Sequence, residues 1–186
     1  MNFYSDKIIN DIIDNKPIEN IIDYIKGFIE NSYNKITKYS IDSISYKYIY
    51  NTLINKNNII AFYCIDNQFI IDNCPSIAIY SKCKSKYNDE IRYYILLLCT
   101  KRKFRGQGYA SKLLDDFIIR IKDENKNKNE NKKNIKIILS SLEETVLFYE
   151  SYGFKWTREE LVDHNVLMNY EKYDNNKEYF IMELIV

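Results

Sequence analysis

Two closely spaced glycines mark the stretch of the sequence that is best suited to hold a ligand. Gly106 and Gly108 lie in "KRKFRGQGYASKLLDDFI", although the 186-residue chain contains only 4 glycines. Asn, Asp and Ser also form turns, but glycine adopts positive φ at no steric cost and has no Cβ to keep a ligand away. The pair therefore indicates a turn that another molecule can approach closely.

An amphipathic helix is predicted directly after this turn. Its apolar residues recur with the spacing of one helix face: Ala110, Leu113, Leu114, Phe117, Ile118 and Ile121. The first N–H groups of a helix lack intrahelical acceptors and together carry about half a positive charge. Basic residues before the helix add to that charge: Lys101, Arg102, Lys103 and Arg105. The combination favours a phosphate site, although a tight strand-to-helix turn with solvated basic residues explains the glycines equally well.

Two other phosphate-binding motifs do not match this stretch. The dinucleotide motif G-x-G-x-x-G needs glycine or alanine at position 111, where this chain has Ser111, and it normally opens a parallel sheet. The P-loop motif requires G-K-[ST], which is absent from the sequence. Neither class of nucleotide-binding protein is therefore expected.

The elements that must position the glycine turn are a buried strand before it and further strands around it. The run "IRYYILLLCT" is almost continuously apolar, which predicts a central strand buried on both faces. Short β-branched and aromatic runs from about residue 44 to 100 predict antiparallel hairpins. A second buried strand is predicted over "IKIILS", a short helix over "LEETVLFYESY" that ends at Gly153, and a last strand over "EYFIMELIV".

The remaining segments complete a single domain over residues 1–186. Helices are predicted to begin near Ser5 and Pro17, because apolar residues follow each at helical spacing. The segment 122–134, "KDENKNKNENKKN", has no apolar side chain and is predicted to be a surface loop, since burial cannot offset the entropy of ordering it.

Composition argues against nucleic-acid and membrane partners. The chain has 27 basic and 26 acidic residues and a formal net charge of +1, so no global field attracts a polyanion. It has no apolar run of the roughly 18 residues that span a membrane, and its N-terminus lacks the features of a secretory signal. We therefore expect a cytoplasmic protein, with the nucleus as the alternative location.

The cysteines do not form a metal-binding pattern. There are 4 of them, without a C-x-x-C pair, and only 1 histidine, His164, to join them. Three lie in or beside apolar runs, as small core residues do. We expect reduced thiols, no disulfide and no bound metal.

The glycine turn resembles a sequence motif of a known family. The segment "KFRGQGYA" is similar to motif A of the GNAT superfamily of acetyl-CoA-dependent N-acetyltransferases, whose pattern is Q/R-x-x-G-x-G/A ahead of the central helix. The match puts these residues where the family binds the CoA diphosphate through backbone amides: Arg105, Gly106, Gly108, Tyr109 and Ala110. Lys103 departs from the usual Gln or Arg at the first position of the pattern.

A second segment, "LEETVLFYESYGFKW", resembles the N-x-x-A-x-x-F-Y-x-x-x-G-F motif of the same family. Its matching residues are Phe148, Tyr149, Gly153 and Phe154, whereas Leu142 and Thr145 replace the usual Asn and Ala. The order of the predicted elements also agrees with this family over nearly the whole chain. Two motifs in the correct order are more specific than either motif alone.

The resemblance implies the fold, the co-substrate and a set of contacts. The fold is of the α/β (α+β) class, with a mixed, mostly antiparallel central sheet flanked by helices and a strand–glycine turn–helix connection that binds CoA. The co-substrate is acetyl-CoA, without a metal. The residues implied to contact it are Leu98, Cys99, Thr100, Lys103, Phe104, Arg105, Gly106, Gln107, Gly108, Tyr109, Ala110, Ser111, Phe148 and Tyr149.

The resemblance also implies catalytic residues. Tyr149 matches the position from which the family commonly donates a proton to the CoA sulfur, although simple packing is the alternative in a chain with 18 tyrosines. A lysine-like amine, with a pKa of about 10.4, must lose a proton before it attacks. The candidate bases are Asp89, Glu90 and His164, of which we take Glu90, and direct transfer to water is an equal alternative.

The predicted activity is transfer of the acetyl group of acetyl-CoA to a primary amine by direct attack in a ternary complex. The amine is a polyamine, a small amine, a protein lysine or a protein N-terminus, and the enzyme is a monomer or homodimer. The connection from Arg158 to Glu178 is mainly acidic and is implied to border the acceptor side, where it would attract a cationic amine. The alternatives are a solvated loop for this segment and a non-catalytic acyl-CoA-binding module for the whole chain.

Overall fold

A computed structural model gives the three-dimensional structure. It describes residues 52, 55, 57–63, 65, 74–84, 90–126, 134–169 and 177–186. The helices predicted near Ser5 and Pro17 lie outside the described residues, as does Asp89.

The described strands form one mixed sheet. They are β1 (Asn58–Tyr63), β2 (Ser76–Lys84), β3 (Glu90–Thr100), β4 (Asn134–Leu142), β5 (Lys155–Trp156) and β6 (Tyr179–Ile185). Their order across the sheet is β1-β2-β3-β4-β6-β5. Strand β3 is parallel to β4, whereas β6 is antiparallel to both β4 and β5.

Strands β2 and β3 run antiparallel, as contacts near both ends indicate. The hydroxyl groups of Ser76, at the start of β2, and Thr100, at the end of β3, are 2.7 Å apart. Near the other end, the Lys82 Nζ lies 5.0 Å from the centre of the Tyr93 ring. Residues 93–97 of β3 are all buried. The prediction of a buried central strand is therefore confirmed.

The described residues contain α1 (Tyr109–Lys126) and α2 (Glu143–Glu150), together with short 3-10 turns at Arg102–Phe104, Leu161–Asp163 and Leu167–Asn169. Helix α1 connects the parallel strands β3 and β4, which a short turn cannot join. The predicted fold class, a mixed α/β sheet with a strand–glycine turn–helix connection, is confirmed.

The surface loop predicted over residues 122–134 is wrong at both ends. Helix α1 continues to Lys126 and β4 already begins at Asn134. The last turns of α1 are held by Glu124, whose carboxylate lies 2.9 Å from Arg120 and 3.1 Å from Lys82. Ion pairs with residues on the same helix and on β2 thus compensate for the missing apolar side chains. Residues 127–133 lie outside the described part of the chain.

One cysteine differs from expectation. Cys74 is disulfide-bonded, whereas Cys83 and Cys99 are free thiols. The expectation of reduced thiols is therefore wrong at Cys74. Spacing along the sequence does not report whether two cysteine Cα atoms come within bonding range, because the fold decides that distance.

The chain contains two compact units. The first consists of Met1–Ile79 and Leu97–Asp115, and the second of Tyr80–Leu96 and Asp116–Val186. The boundaries fall within β2, β3 and α1. The single domain expected from chain length stays a prediction. No helix in the described residues is long and apolar enough to cross a membrane.

Candidate functional site

The first unit contains the glycine turn. A 3-10 turn, Arg102–Phe104, follows the end of β3, and α1 begins at Tyr109. Between them, Gly106 and Gly108 adopt φ values of +74° and +75°. Both values lie in the left-handed region, where a residue with a Cβ is strained. The glycines are thus required by the backbone conformation itself.

The turn presents a row of backbone donors, the N–H groups of residues 106–111, which we call the cradle. Helical bonding begins at Lys112, whose N–H lies 3.0 Å from the Gly108 carbonyl oxygen. Among the described residues, no protein atom accepts a hydrogen bond from the cradle. A Cβ added to Gly106 or Gly108 would have no heavy atom within 4 Å, so the space above the turn is open. The cradle can therefore bind an anion such as a diphosphate.

Hydrogen bonds within the first unit hold the chain around the cradle. The Lys101 N–H donates to the Pro75 carbonyl oxygen at 2.9 Å, next to the contact between the Ser76 and Thr100 hydroxyls. The Gln107 amide donates to the Lys103 carbonyl oxygen at 3.2 Å. The first bond joins the end of β3 to the beginning of β2, and the second closes the turn on itself.

Aromatic contacts fix the first residue of α1. The Tyr109 ring lies 5.8 Å from the Phe104 ring and 5.5 Å from the Tyr63 ring, measured between centroids. The Lys112 Nζ lies over the Tyr109 ring at 5.2 Å. Because the Tyr109 side chain is occupied by these contacts, only its backbone N–H belongs to the cradle. The side chains of Ala110 and Ser111 are partly buried in the same helical turn.

The end of β3 and the turn after it differ in their exposure to solvent. Leu98, Cys99 and Thr100 are partly exposed, and Lys103 and Arg105 are exposed. Burial raises the pKa of the Cys99 thiol to about 12, with Arg105 opposing the shift. The thiol is therefore neutral near pH 7 and is a poor nucleophile. The structure thus brings the predicted CoA-contacting residues 98–111 together in one unit.

The second unit contains the other motif. Tyr149 on α2 is 9% exposed, and its ring lies 5.1 Å from the Phe148 ring and 5.7 Å from the Phe154 ring. Gly153 has φ +88°, and its N–H donates to the Glu150 carbonyl oxygen at 2.8 Å. The predicted glycine C-cap of this helix is confirmed, and it turns the chain so that Phe154 packs against Tyr149.

The two departures from this motif lie at the beginning of α2. The Thr145 hydroxyl donates to the Leu142 carbonyl oxygen at 3.1 Å and lies 2.9 Å from the Ser141 hydroxyl. The Ser141 hydroxyl also donates to the Leu142 carbonyl oxygen, and no side chain caps the N–H groups of the first turn of α2. Leu142 itself offers no polar side chain to a ligand.

Glu90, the predicted base, is buried within a set of charged residues. One carboxylate oxygen contacts the Arg92 Nε, and the other lies 3.7 Å from the Lys136 Nζ. Lys136 in turn lies 3.0 Å from Glu183 on β6. Both oxygens of Glu90 are thus engaged by cations on β3 and β4. The assignment of Glu90 as a base stays a prediction.

A buried tyrosine and the histidine meet in the same unit. Tyr94 is 2% exposed, and its ring lies edge-on to the His164 ring at 5.6 Å. Burial raises the pKa of Tyr94, and a hydrogen bond from Arg92 opposes this shift. The His164 Nδ1 accepts a hydrogen bond from the Leu167 N–H at 3.2 Å.

Sequence reasoning did not select Tyr94. One signal was present: Glu90, Arg92 and Tyr94 alternate along a strand and therefore share one face of the sheet. Their partners on other elements had no signature, because His164 and Lys136 are distant in sequence.

The described part of the acidic connection is exposed. Glu159, Glu160 and Asp163 are exposed side chains that form no ion pair with any described residue. Arg158 before them has φ +65°, a left-handed conformation that is uncommon for a residue with a Cβ. Glu171 and Asp174 lie outside the described residues. No group of described His, Cys, Asp and Glu side chains could hold a metal ion.

Comparisons with known proteins point to one family. A family model described as an acetyltransferase (GNAT) domain matches residues 31–172. No protein of curated function matches the sequence significantly.

Solved structures share the fold at low sequence identity. GCN5 from Tetrahymena has a TM-score of 0.55 and 11% identity, with 100% of this chain and 96% of that chain covered. Naa50 from Arabidopsis thaliana, in complex with the bisubstrate analogue CoA-Ac-MVNAL, has a TM-score of 0.50 and 18% identity, with 99% of each chain covered. The ribosomal-protein-S18-alanine N-acetyltransferase from Escherichia coli has a TM-score of 0.50 and 16% identity, with 76% of this chain and 77% of that chain covered.

Proposed function

The chain belongs to the GNAT acetyltransferase family, and on this basis we propose that it transfers the acetyl group of acetyl-CoA to a primary amine. The observation that carries the proposal is the cradle, a row of N–H groups at the beginning of α1 that bond to no described residue, with open space above its glycines. A phosphate ester suits such a site because it presents several acceptor oxygens and negative charge.

The residues of the first unit fit CoA. The cradle would hold the diphosphate, and the exposed cations Lys103 and Arg105 would add electrostatic attraction. Backbone groups of Leu98 and Thr100 would contact the pantetheine arm and the acetyl carbonyl oxygen. Because these contacts are made by the backbone, they tolerate the unusual Lys103 in the motif. The thioester supplies an activated acetyl group.

The reaction needs the displacement of the CoA sulfur by the amine and two proton transfers, one from the amine and one to the sulfur. The neutral amine nitrogen bonds to the acetyl carbonyl carbon, the carbon–sulfur bond breaks, and the sulfur leaves with the electron pair. Tyr149 would give its phenolic proton to the sulfur. The leaving thiolate is already a weak base, so we expect this donation to contribute only about tenfold to a thousandfold.

For the proton of the amine, Glu90 or water would be the acceptor. The Glu90 carboxylate forms ion pairs with Arg92 and Lys136. The same pairs engage both of its oxygens, and this favours direct transfer to water. A Glu90→Gln variant separates the two routes.

A thermal-shift titration tests the proposed co-substrate. A ligand at about 100 times its Kd adds about 2.7 kcal/mol to the free energy of unfolding, which raises the Tm by roughly 5 to 10 °C for a chain of this size. We expect this shift with acetyl-CoA and CoA but not with ATP. The absence of a shift at saturating acetyl-CoA would remove the basis of the proposal.

A second experiment separates an enzyme from a binding module. The non-catalytic alternative is favoured by one observation, the apolar Leu142 at the position of the family's asparagine. In an enzyme, Tyr149→Phe lowers kcat while the Kd for acetyl-CoA stays constant. Tyr152→Phe, a matched change beyond the same helix, should leave both values unchanged. Binding of acetyl-CoA without acetylation of any amine in a broad panel would favour the binding module.

We also propose a cytoplasmic location and a monomeric or homodimeric state. The near-neutral net charge of +1, which favours neither a membrane surface nor a nucleic acid as partner, agrees with this location. Fluorescence microscopy of a tagged chain and light scattering of the purified protein test these two proposals.

A further inference from the structure

Lys112, in the first turn of α1, lies against two tyrosine rings. Its Nζ is 5.2 Å from the centre of the Tyr109 ring and 5.8 Å from the centre of the Tyr63 ring. The centres of the two rings are 5.5 Å apart. The three side chains therefore meet at one place, and all three belong to the first unit.

The Lys112 side chain does not pair with the carboxylate that its helix offers. Asp115 follows at the i+3 position, where opposite charges usually pair on a helix surface. Lys112 forms no ion pair with Asp115 or with any other described residue. Its ammonium group lies instead over Tyr109, three residues earlier, which is the direction in which helical side chains lean. This direction leads to the cradle.

The contacts with the rings leave the ammonium group able to bind a ligand. Cation–π attraction holds the group over the ring faces without using a hydrogen-bond acceptor. An ammonium group has three N–H donors, and Lys112 is exposed. A lysine that is already positioned in this way loses less conformational entropy when it binds an anion.

This position of Lys112 is electrostatically unfavourable in the absence of an anion. The beginning of a helix carries about half a positive charge, so a cation near it is destabilising. The first turn of α1 contains no acidic residue that could compensate. Lys103 and Arg105, exposed beside the cradle, add further positive charge. The positive charge at this end of α1 thus favours a ligand with more than one anionic group.

We propose that Lys112, held by Tyr63 and Tyr109, binds the 3′-phosphate of CoA and makes the protein selective for CoA over 3′-dephospho-CoA. This inference rests on the proposed acetyltransferase function and names a residue that selects its co-substrate. Tyr109 connects the two parts of the site, because its N–H belongs to the cradle and its ring contacts Lys112.

The chemistry of CoA leaves one group for Lys112 to recognise. The pantetheine arm and the adenine base carry no negative charge, and the cradle would hold the diphosphate. The remaining anionic group is the 3′-phosphate, a monoester with nearly two negative charges at pH 7. One ribose joins it to the diphosphate, so its binding residue must lie close to the cradle, as Lys112 does.

Calorimetric titration with CoA and with 3′-dephospho-CoA tests the proposal. We expect wild type to bind CoA at least about tenfold more tightly. Lys112→Gln should raise the Kd for CoA about tenfold and change the Kd for 3′-dephospho-CoA less than about twofold, so that the preference is lost. Lys112→Arg keeps the charge and the contact with the rings and should therefore retain the preference.

Lys122→Gln is the matched control for the change in net charge. Lys122 is also an exposed lysine of α1, but it belongs to the second unit. Its substitution should leave both Kd values unchanged. An equal loss of preference in Lys122→Gln would mean that net charge and not the position of Lys112 decides the affinity, and would overturn the inference.

The pH dependence provides a readout that a merely structural role of Lys112 would not change. The second pKa of a phosphate monoester is about 6, so the 3′-phosphate loses charge as the pH falls from about 7.5 to about 5. The preference of wild type for CoA should decrease over this range. The ratio of the two Kd values should stay constant in Lys112→Gln.

The outcomes separate this inference from the function on which it rests. Equal binding of CoA and 3′-dephospho-CoA by wild type would overturn the inference and leave the proposed co-substrate intact. If Lys112→Gln weakened both ligands equally, Lys112 would support the cradle without reading the 3′-phosphate, and the inference would also be lost. If wild type bound neither ligand, the proposed function would fail together with the inference.

Discussion

The first and second units hold their candidate functional groups by different means. In the first unit the groups are backbone N–H donors, and their direction depends on positive φ at Gly106 and Gly108. In the second unit they are side chains, and their state depends on partners such as Arg92 for Tyr94 and the Leu167 N–H for His164. A site made of backbone is sensitive to conformation, whereas a site made of side chains is sensitive to the identity of its neighbours.

The difference extends to electrostatics. The basic residues beside the cradle, Lys103 and Arg105, are exposed and would attract an anionic ligand over a distance. In the second unit Glu90, Arg92, Lys136 and Glu183 neutralise one another within the sheet. Removing a charge should therefore affect binding in the first unit and stability in the second.

The largest expected effect is a loss of acetyl-CoA affinity when a glycine of the cradle is replaced. Gly108→Ala should weaken acetyl-CoA binding about 100-fold, because a Cβ at φ +75° strains the backbone and occupies the open space above the cradle. Calorimetric titration measures the Kd. Gly153→Ala in the second unit is the matched control, since it has φ +88° and its Cβ would meet only Leu184 Cδ1 at 3.6 Å.

This control should lose stability but not affinity. A strained alanine costs about 1 kcal/mol, which lowers the Tm by roughly 2 to 4 °C for a chain of this size. If Gly153→Ala lost acetyl-CoA binding to the same extent, the cradle would not be the site and the contrast between the units would disappear.

A smaller effect is expected at Glu90. Glu90→Gln should lower the free energy of unfolding by about 2 kcal/mol, because Arg92 and Lys136 lose their shared carboxylate. Lys103→Gln in the first unit should change it by less than about 0.5 kcal/mol, since Lys103 is exposed. Urea unfolding measures both values. Unchanged stability together with a loss of kcat and an altered pH profile would instead support Glu90 as the base.

Cys83 and Cys99, the free thiols among the described residues, allow the two units to be compared by chemical reactivity. Burial raises the pKa of Cys99 to about 12, so at pH 8 almost none of it is the reactive thiolate. Cys83 on β2 in the second unit should therefore react with iodoacetamide at least about tenfold faster, as followed by mass spectrometry. Equal rates would mean that the end of β3 is more open to solvent than the structure indicates.

The smallest effect is expected at Glu124. The pKa of Glu124 is lowered overall. Burial acts to raise it, but the hydrogen bonds from Arg120 and Lys82 have the larger, opposite effect. A lowered carboxyl pKa stabilises the fold above the unfolded value of about 4.3, and this contribution is lost as the pH falls through the folded pKa. Glu124→Gln should thus cost about 0.5 kcal/mol at pH 7 and nothing at low pH.

Asp115→Asn is the control for this last measurement. Asp115 is exposed on the same helix but belongs to the first unit. Its substitution should leave the free energy of unfolding unchanged at both pH values. A cost at low pH for Glu124→Gln would show that the carboxylate does not hold the end of α1 through its charge.

Features that depend on local sequence could be predicted. The helix after Gly108, the C-cap at Gly153 and the buried strand over residues 91–99 each follow from spacing, positive φ or continuous apolar character. The end of α1 could not be predicted, because Lys82, a residue on β2, helps to hold Glu124. The disulfide at Cys74 was missed for a similar reason, since the approach of two cysteines depends on the fold.

The sequence by itself determined the cradle and the family resemblance, because glycine conformation and helix periodicity are local properties of the chain. Only the tertiary structure decided which polar side chains meet. It brought Tyr94 to His164 and gave Glu90 its cations from β3 and β4. The physical reason is that the state of a buried polar group depends on its hydrogen-bond partners, and residues far away in sequence supply them.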